Sequence, residues 1–441
     1  MIENAPVPPL AAQEKFSLDD RIRGVPPGTA GLDASLVASE QWHPADGRMS
    51  LPVLTLDEAA FAANRDLFLR YAREQGAVIA SHAKTPMAPD LARSLVEAGA
   101  WGTTVADIRQ ATVMLRAGLT RLIIANEVGG LGGANRLAAL ASAWPDAELH
   151  VFADSVDAVN ALADAWRANA ALPPLRVLVE LGAGRAGART TTQAEAIADA
   201  IAAAGGRLLI AGVATYEGAA AQPEPGRTDE VISALLTMVS DMFLRLRARL
   251  GGDVPLIATA GGSVFFDKVV AALSPVVSRD GNATLVLRSG AIFFHDHGIY
   301  DRSLGALDSR KGFAVGGVSA SARSSFRPAL RLWAEVLSRP EPGLAICGMG
   351  MRDVSFDQGF PTVLTVFRDG RPLPQLGARA EVVKLNDQHA FLSLGADADL
   401  AVGDVVEFGI SHPCTCLDRY RVIFGVDATG HVRNAFPTYF G

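Results

Sequence analysis

The chain has 441 residues, 49% of them hydrophobic and 20% charged, with a formal net charge of -7. That length exceeds one ordinary core and the composition excludes a disordered protein, so two folded domains are expected. The acidic balance, with no Lys/Arg-rich run, excludes a basic nucleic-acid binder, and no apolar run is long enough to span a membrane.

The first ten residues, "MIENAPVPPL", carry neither a basic stretch nor an apolar one, so no secretory leader is expected. Cys347, Cys414 and Cys416 are too few and too odd in number for a disulfide framework. They point to a reducing, cytoplasmic setting. Residues 1–50 are rich in Pro and Gly without clear periodicity, and form an arm or join a second domain.

From about residue 50 short apolar runs alternate with amphipathic stretches. The runs are "GAVIAS" from Gly76, "WGTTVA" from Trp101, "RLIIAN" from Arg121, "ELHVFA" from Glu148, "LRVLVEL" from Leu175, "RLLIAGVAT" from Arg207, "VPLIATAGG" from Val254 and "ATLVLRSG" from Ala283. None alternates with polar residues, as expected of parallel strands buried on both faces. Helical patterns fill every gap and one precedes the first strand. The longest, "TDEVISALLTMVSDMFLRLRARLGG", has Thr228 or Asp229 as a candidate cap and a Gly-Gly end. Eight such units predict a (β/α)8 barrel over 51–290, with an open doubly wound sheet as the alternative. After residue 290 short extended segments such as "TVLTVF", "AEVVKL" and "YRVIFGV" are separated by turns, and predict a mostly β domain over 291–441.

A barrel gathers its chemistry at the strand C-termini. The first strand ends in "SHAKT", and Lys84 there can form a Schiff base with a carbonyl, its amine made less basic by burial. The fifth ends in "ELGAGRAG", formally G-x-G-x-x-G, but the next strand's acid, Glu217, lies too far on for a dinucleotide fingerprint. Arg185 in that loop can set the electronics of a ring atom. Tyr216 follows the sixth strand, where it can pack on a planar group. Gly261, Gly262 and Ser263 follow the seventh and offer free amides and a hydroxyl to a phosphate. In "GISHPCTCLDRY", His412 and Cys414 lie two apart, as does Cys416, and project to one face if the segment is extended. Imidazole with thiolate suits zinc first. "HDH", His295 to His297, is a weaker same-face pair.

Taken in order, "LPVLTLDEAAFAANRDLF", "SHAKTPMAPDLARSLVEAGAWGTTVADIRQA", "GAGRAG", "YEG", "GGS", "GMGMRDVSFDQGFP", "LNDQHAFL" and "GDVVEFGISHPCT" resemble the D-serine dehydratase-like and D-threonine aldolase family. The resemblance runs from about Leu51 to the C-terminus. It implies an alanine-racemase-type barrel that carries pyridoxal 5'-phosphate, followed by a β domain that carries a divalent metal, in a homodimer. Lys84 matches the family's Schiff-base lysine, with His82 beside it in the cofactor site. Gly261, Gly262 and Ser263 match the phosphate loop, and Arg185 and Tyr216 the neighbours of the cofactor ring. His412 and Cys414 match the metal pair, for zinc, with manganese or magnesium as alternatives. His389 resembles a catalytic position near the metal. The chain departs from the family at Ala80-Ser81, where Arg-Pro is usual, at Pro86, where His is usual, and at "DQH".

The resemblance implies a lyase acting on a 3-hydroxy D-amino acid such as D-serine or D-threonine. In the family, His-x-Cys accompanies loss of water and ammonia to a 2-oxo acid, and His-x-Asp accompanies retro-aldol cleavage to glycine and an aldehyde. Cys414 therefore points to a dehydratase. The aldolase is the alternative, with His389 as its base, and a non-catalytic cofactor-carrying barrel is the reading from another class. Residues 301–327 exceed the shortest family members and are expected to shape a lid or an interface.

Overall fold

The computed structural model describes residues 15–373 and 380–441. Eight parallel strands close into a barrel: β1 (Ala77–His82), β2 (Gly102–Val105), β3 (Arg121–Glu127), β4 (Glu148–Ala153), β5 (Leu175–Glu180), β6 (Leu208–Ala214), β7 (Leu256–Ala260) and β8 (Ala283–Leu287). The ring shuts where β8 pairs with β1, with Leu285 opposite Ala77 and Leu287 opposite Ile79. That closure rules out the open doubly wound sheet.

The outward faces of the strands pack on the helices. The inward faces fill the lumen with Ala80, Ile123, Phe152, Leu178, Ile257 and Val286. Side chains alternate along a strand, so two or four residues further on the same face meets the mouth. There the apolar filling gives way to His82, Glu127, Glu180 and Arg288.

Helices lie where the amphipathic patterns predict them, and several are capped by side chains. Asp57 accepts from the Ala60 N–H, Asp107 from Gln110 and Thr190 from Gln193. The longest, Pro225–Leu250, starts earlier than Thr228. The Thr228 hydroxyl instead bonds both the N–H and the carbonyl of Gln222 in the preceding turn. No helix among the described residues is long and apolar enough to cross a membrane.

The second domain is a large, mainly antiparallel sheet around Leu330–Glu341. The chain enters it before it enters the barrel. The strand Val53–Asp57 pairs antiparallel with Leu330–Glu341, Trp333 opposite Val53, and parallel with Val422–Val426. Residues 16–53 follow it, because Leu18, Ile22, Val37 and Trp42 bury against Trp333 and Phe424. The expected division at residue 51 therefore moves to about residue 58, and the described part of the N-terminal arm, from residue 16, belongs to the β domain.

The boundary at 290 also moves. A helix the sequence reading lacked, Ile299–Ser309, follows "HDH" and buries Tyr300, Leu304 and Leu307. Beyond it Phe313 stacks on Tyr71 at 5.1 Å, and Arg310 grips Asp267 through two bonds of 2.9 and 3.0 Å. Residues 301–327 thus lie along the barrel's flank, against the helices Glu58–Glu74 and Phe266–Val277, rather than as a lid over its mouth.

Candidate active site

Lys84 follows β1 and stands at the mouth with its side chain accessible from outside, yet protein surrounds it. Burial lowers its amine pKa below the ordinary lysine range. A thiolate at Cys414 pulls the other way, and the Arg185 and Arg288 guanidiniums push it down further. His82, two residues earlier, is half-buried, and burial with Lys84 and Arg288 nearby keeps its imidazole neutral.

Arg288, just past β8, is a buried cation in the lumen. Its Nη1 donates to Thr259 Oγ1 at 2.9 Å and its Nη2 to the Thr215 carbonyl at 2.7 Å, while the guanidinium lies 5.2 Å over the Phe152 ring. Arg185 lies 5.3 Å over the Tyr216 ring, so these two predicted ring neighbours do sit together. Around Arg185 the glycines serve packing. Gly184 and Gly187 take φ of +80° and +98°, and a Cβ on either would strike backbone atoms of Ala219 or Gly182. The loop closes on itself through Gly182 N–H to the Ala188 carbonyl and Ala188 N–H to the Glu180 carbonyl. The helix opens only at Thr191, so no dinucleotide cradle is formed.

The loop after β7 differs from the expectation. The amides of Gly261 and Gly262 are not free: they donate to the two oxygens of Glu217 at 3.1 and 2.8 Å. Glu217 is itself buried. Ser263 Oγ accepts from the Ile292 N–H at 3.2 Å. Among the described residues, the amides of Ser263 and Val264, and those of Gly290 and Ala291 after β8, meet no protein acceptor. The free donors therefore come from two loops, with Glu217 bracing the first. Only a glycine fits at 290, because a Cβ there would come within 2.5 Å of the His82 carbonyl oxygen.

These features fit a phosphate-bearing aldehyde cofactor. A lysine made less basic shares the mouth with free amides that follow β7 and its own neighbour β8. Buried polar atoms without partners lie at five strand ends: His82 Nδ1, Thr103 Oγ1, Glu127 Oε1, Glu180 Oε2 and Thr215 Oγ1.

The second domain brings His412 and Cys414 to the same mouth. Cys414 Sγ lies 3.4 Å from the hydroxyl of Thr85, next to Lys84. The pair is not on an extended segment. Pro413 starts a short helix, Pro413–Leu417, with His412 at its N-cap. The two side chains still act on each other: against burial, Cys414 and Asp357 raise the His412 imidazole to about 9. Cys416 is turned away into the core, where burial pushes its thiol up to about 12. His412 Nδ1 bonds Asp357 Oδ2 at 2.7 Å, and Thr415 holds the other Asp357 oxygen at 2.7 Å. That fixes the tautomer and leaves Nε2 for a metal, the carboxylate–imidazole support common in metal sites. The donor chemistry suits a divalent ion, although no cluster of three His, Cys, Asp or Glu donors forms among the described residues.

His389 sits exposed in the turn between Ala380–Leu385 and Ala390–Leu394, and within one chain it makes no contact with His412, Cys414 or Lys84 among the described residues. "HDH" is a fastening rather than a metal pair. Asp296 Oδ1 accepts from the amides of Gly298 and Tyr300 at 2.8 and 2.9 Å, and His297 N–H donates to the Ile410 carbonyl. Burial keeps both histidines neutral, at about 4. The fastening sets Tyr300 edge-on to His412, ring centroids 6.5 Å apart.

Sequence reading missed Arg288, Glu127, Glu180, Tyr300 and Asp357, and gave Glu217 no part in the site. The first three are the polar ends of otherwise apolar inward faces, a signal present in "VLR", "ANE" and "LVE".

Comparison with known proteins gives two domain families. The alanine racemase N-terminal domain matches residues 56–260, and a putative serine dehydratase domain matches residues 329–426. The chain is 25% identical over 383 residues to the 3-hydroxy-D-aspartate aldolase of Paracoccus denitrificans (strain Pd 1222), covering 85% of this chain and 89% of that one. It is 24% identical over 317 residues to a D-threonine aldolase of an Arthrobacter species, covering 72% and 76%. The crystal structure of D-threonine aldolase from Filomicrobium marinum superposes with a TM-score of 0.69 at 24% identity, covering 89% of this chain and 95% of that one. The D-threo-3-hydroxyaspartate dehydratase of Delftia sp. HT23 gives 0.65 at 22%, covering 89% and 98%. At these identities the structural likenesses establish the fold.

Proposed function

Since the chain belongs to the D-serine dehydratase-like and D-threonine aldolase family of pyridoxal-phosphate lyases, we propose that it removes water and ammonia from a 3-hydroxy D-amino acid, leaving a 2-oxo acid. The observation that carries this is the meeting of Lys84 with the His412–Cys414 pair at one barrel mouth.

Lys84 would hold the cofactor aldehyde, and Ser263, Val264, Gly290 and Ala291 its phosphate. Arg185 and Tyr216 would border its ring. His412 and Cys414 would hold a divalent ion, zinc by their chemistry, with Asp357 orienting the imidazole. When bound, the cofactor spreads the negative charge left at Cα, and the ion eases departure of the β-oxygen. The protein's own contribution is an amine at Lys84 that burial and two guanidiniums make less basic, and which takes the Cα proton. Tyr300 and Asp357 keep the imidazole still while the β-oxygen is met.

A His and a Cys two positions apart are the residues replaced by Ala in two structures of a D-threo-3-hydroxyaspartate dehydratase, one of them in a metal-free form. His412 and Cys414 have that spacing. The sequence relatives named aldolases favour a second reading, retro-aldol cleavage at the same site. Product analysis separates the two. A dehydratase releases ammonia and pyruvate in equal amounts from D-serine. Glycine released stoichiometrically from D-threonine, without ammonia, would decide for the aldolase.

A further inference from the structure

We propose that Thr85 is a positioning residue for Cys414: its hydroxyl donates to the sulfur across the domain junction and so sets the place of the metal pair relative to Lys84.

The turn that carries Thr85 is closely determined. β1 ends at His82, and the next N–H, that of Ala83, donates to the Thr104 carbonyl of β2 at 2.8 Å. Thr85 N–H reaches back to the His82 carbonyl at 3.4 Å, and Met87 N–H to the Ala83 carbonyl at 2.8 Å. Pro86, where the chain departs from its family, lies between them and stiffens the turn by fixing its own φ. Met87 takes a φ of +41°, in the left-handed region that a methionine enters only where its surroundings impose it. They do so here: Met87 is fully buried, and Tyr439 N–H donates to its carbonyl at 2.9 Å. Inside this turn Thr85 is 1% exposed, while Lys84 beside it is open to the mouth.

A hydroxyl so deeply buried needs a partner. Among the described residues the Thr85 hydroxyl has one, Cys414 Sγ at 3.4 Å. A cysteine ligates as the thiolate, which has no proton to give, so the threonine is then the donor. The two members of the pair are thus braced from opposite sides. His412 is held by the β domain, through Asp357 on Nδ1 at 2.7 Å and Ser355 Oγ on its N–H at 3.1 Å. Cys414 takes its brace from the barrel, one residue from Lys84. An ion held by both is placed against the β domain through one donor and against the lysine turn through the other. The two braces also differ in effect. A carboxylate on an imidazole makes that ligand more basic, whereas a hydroxyl on a thiolate draws charge off the sulfur and leaves the ion the stronger Lewis acid.

The inference rests on the reading of His412 and Cys414 as the metal pair, and the test separates the two. The full-length chain is stripped of metal and titrated with cobalt(II), without substrate. The wild type should show a thiolate-to-cobalt charge-transfer band in the near ultraviolet. Thr85→Val keeps the shape of the side chain and removes the donor. Its band should move to longer wavelength, because the sulfur electrons are no longer drawn by a hydrogen bond. Its zinc affinity, by competition with a chromophoric chelator, should fall about tenfold. Thr85→Ser restores the hydroxyl and should return both to the wild-type values. Should Thr85→Val fold poorly, Thr85→Ala makes the same measurement. A valine variant with the wild-type band and the wild-type zinc affinity overturns the role of Thr85 and leaves the metal pair standing. A shift that Thr85→Ser does not reverse shows that packing rather than the hydroxyl places the sulfur, and overturns it as well. A wild type with no charge-transfer band shows that Cys414 is no ligand, and overturns the metal pair together with its brace.

Discussion

Replacing Gly290 by alanine tests whether the two ends of the barrel seam place the lysine. The added Cβ would lie 2.5 Å from the His82 carbonyl oxygen and 3.0 Å from His82 Cβ. The obstacle is backbone, not a flexible tip, so β1 or the loop after β8 must move. The backbone at Gly290 has φ of -129°, so alanine brings no conformational strain of its own and the effect is steric. Overpacking of this kind costs about 1–3 kcal/mol. His82 is two residues from Lys84, and Gly290 supplies one of the free amides, so the displacement falls on the cofactor site. Cofactor retention should weaken by about 5- to 150-fold, the equivalent of that energy. The assay is equilibrium dialysis against pyridoxal phosphate, followed by the visible absorbance of the bound form, with urea unfolding alongside. Gly252→Ala is the control, since nothing lies within 4 Å of its Cβ. If Gly290→Ala keeps wild-type retention and unfolds at the wild-type midpoint, the contact with His82 does not position Lys84.

Borohydride should fix the cofactor on the peptide containing Lys84, and Lys84→Ala should lose both the adduct and essentially all turnover; an adduct at wild-type yield in the variant refutes the assignment. Exhaustive chelation should abolish turnover while the visible band persists, because the lysine and the anion donors lie on the barrel and the metal pair lies on the other domain; full activity with no metal by elemental analysis would leave His412–Cys414 a structural pair. Asp296 gives a pH signature. Burial raises its carboxyl to about 7 despite three opposing amide bonds. Its stabilising contribution is therefore full below about pH 4 and lost as pH rises through about 7, roughly 4 kcal/mol at most. Asp296→Asn keeps an acceptor without the charge, so the stability difference between variant and wild type should grow in the variant's favour from pH 5 to pH 8; a constant difference would show that Asp296 does not titrate there.

The barrel was legible because each strand is apolar on both faces and each helix amphipathic, and these signals are local. The boundaries were not. Val53–Asp57 looks like any strand ahead of a helix, and its pairing with Leu330–Glu341 lies across some 270 residues of chain, which periodicity cannot see. The helix Ile299–Ser309 was hidden by its entry. Its cap, Asp296, sits between two histidines that draw the eye to metal chemistry, and Gly298 blurs the start.

At the site, residues conspicuous by type were legible and residues marked only by position were not. Lys84, Arg185 and Tyr216 follow strands and are chemically conspicuous. Glu217 stands in a motif the sequence displays, yet its task of closing the Gly261 and Gly262 amides depends on how two loops meet. His412 and Cys414 show the same limit. Spacing by two implied an extended strand with both side chains on one face, but Pro413 bends the segment into a helical turn, and the pair meets for a different reason. Asp357, 55 residues away, fixes the imidazole, and Tyr300 closes over it from the barrel side. The His412–Cys414 half of the site is therefore a property of the domain junction. His297 N–H on the Ile410 carbonyl and Ile299 N–H on the Ser411 carbonyl tie that junction directly beside His412.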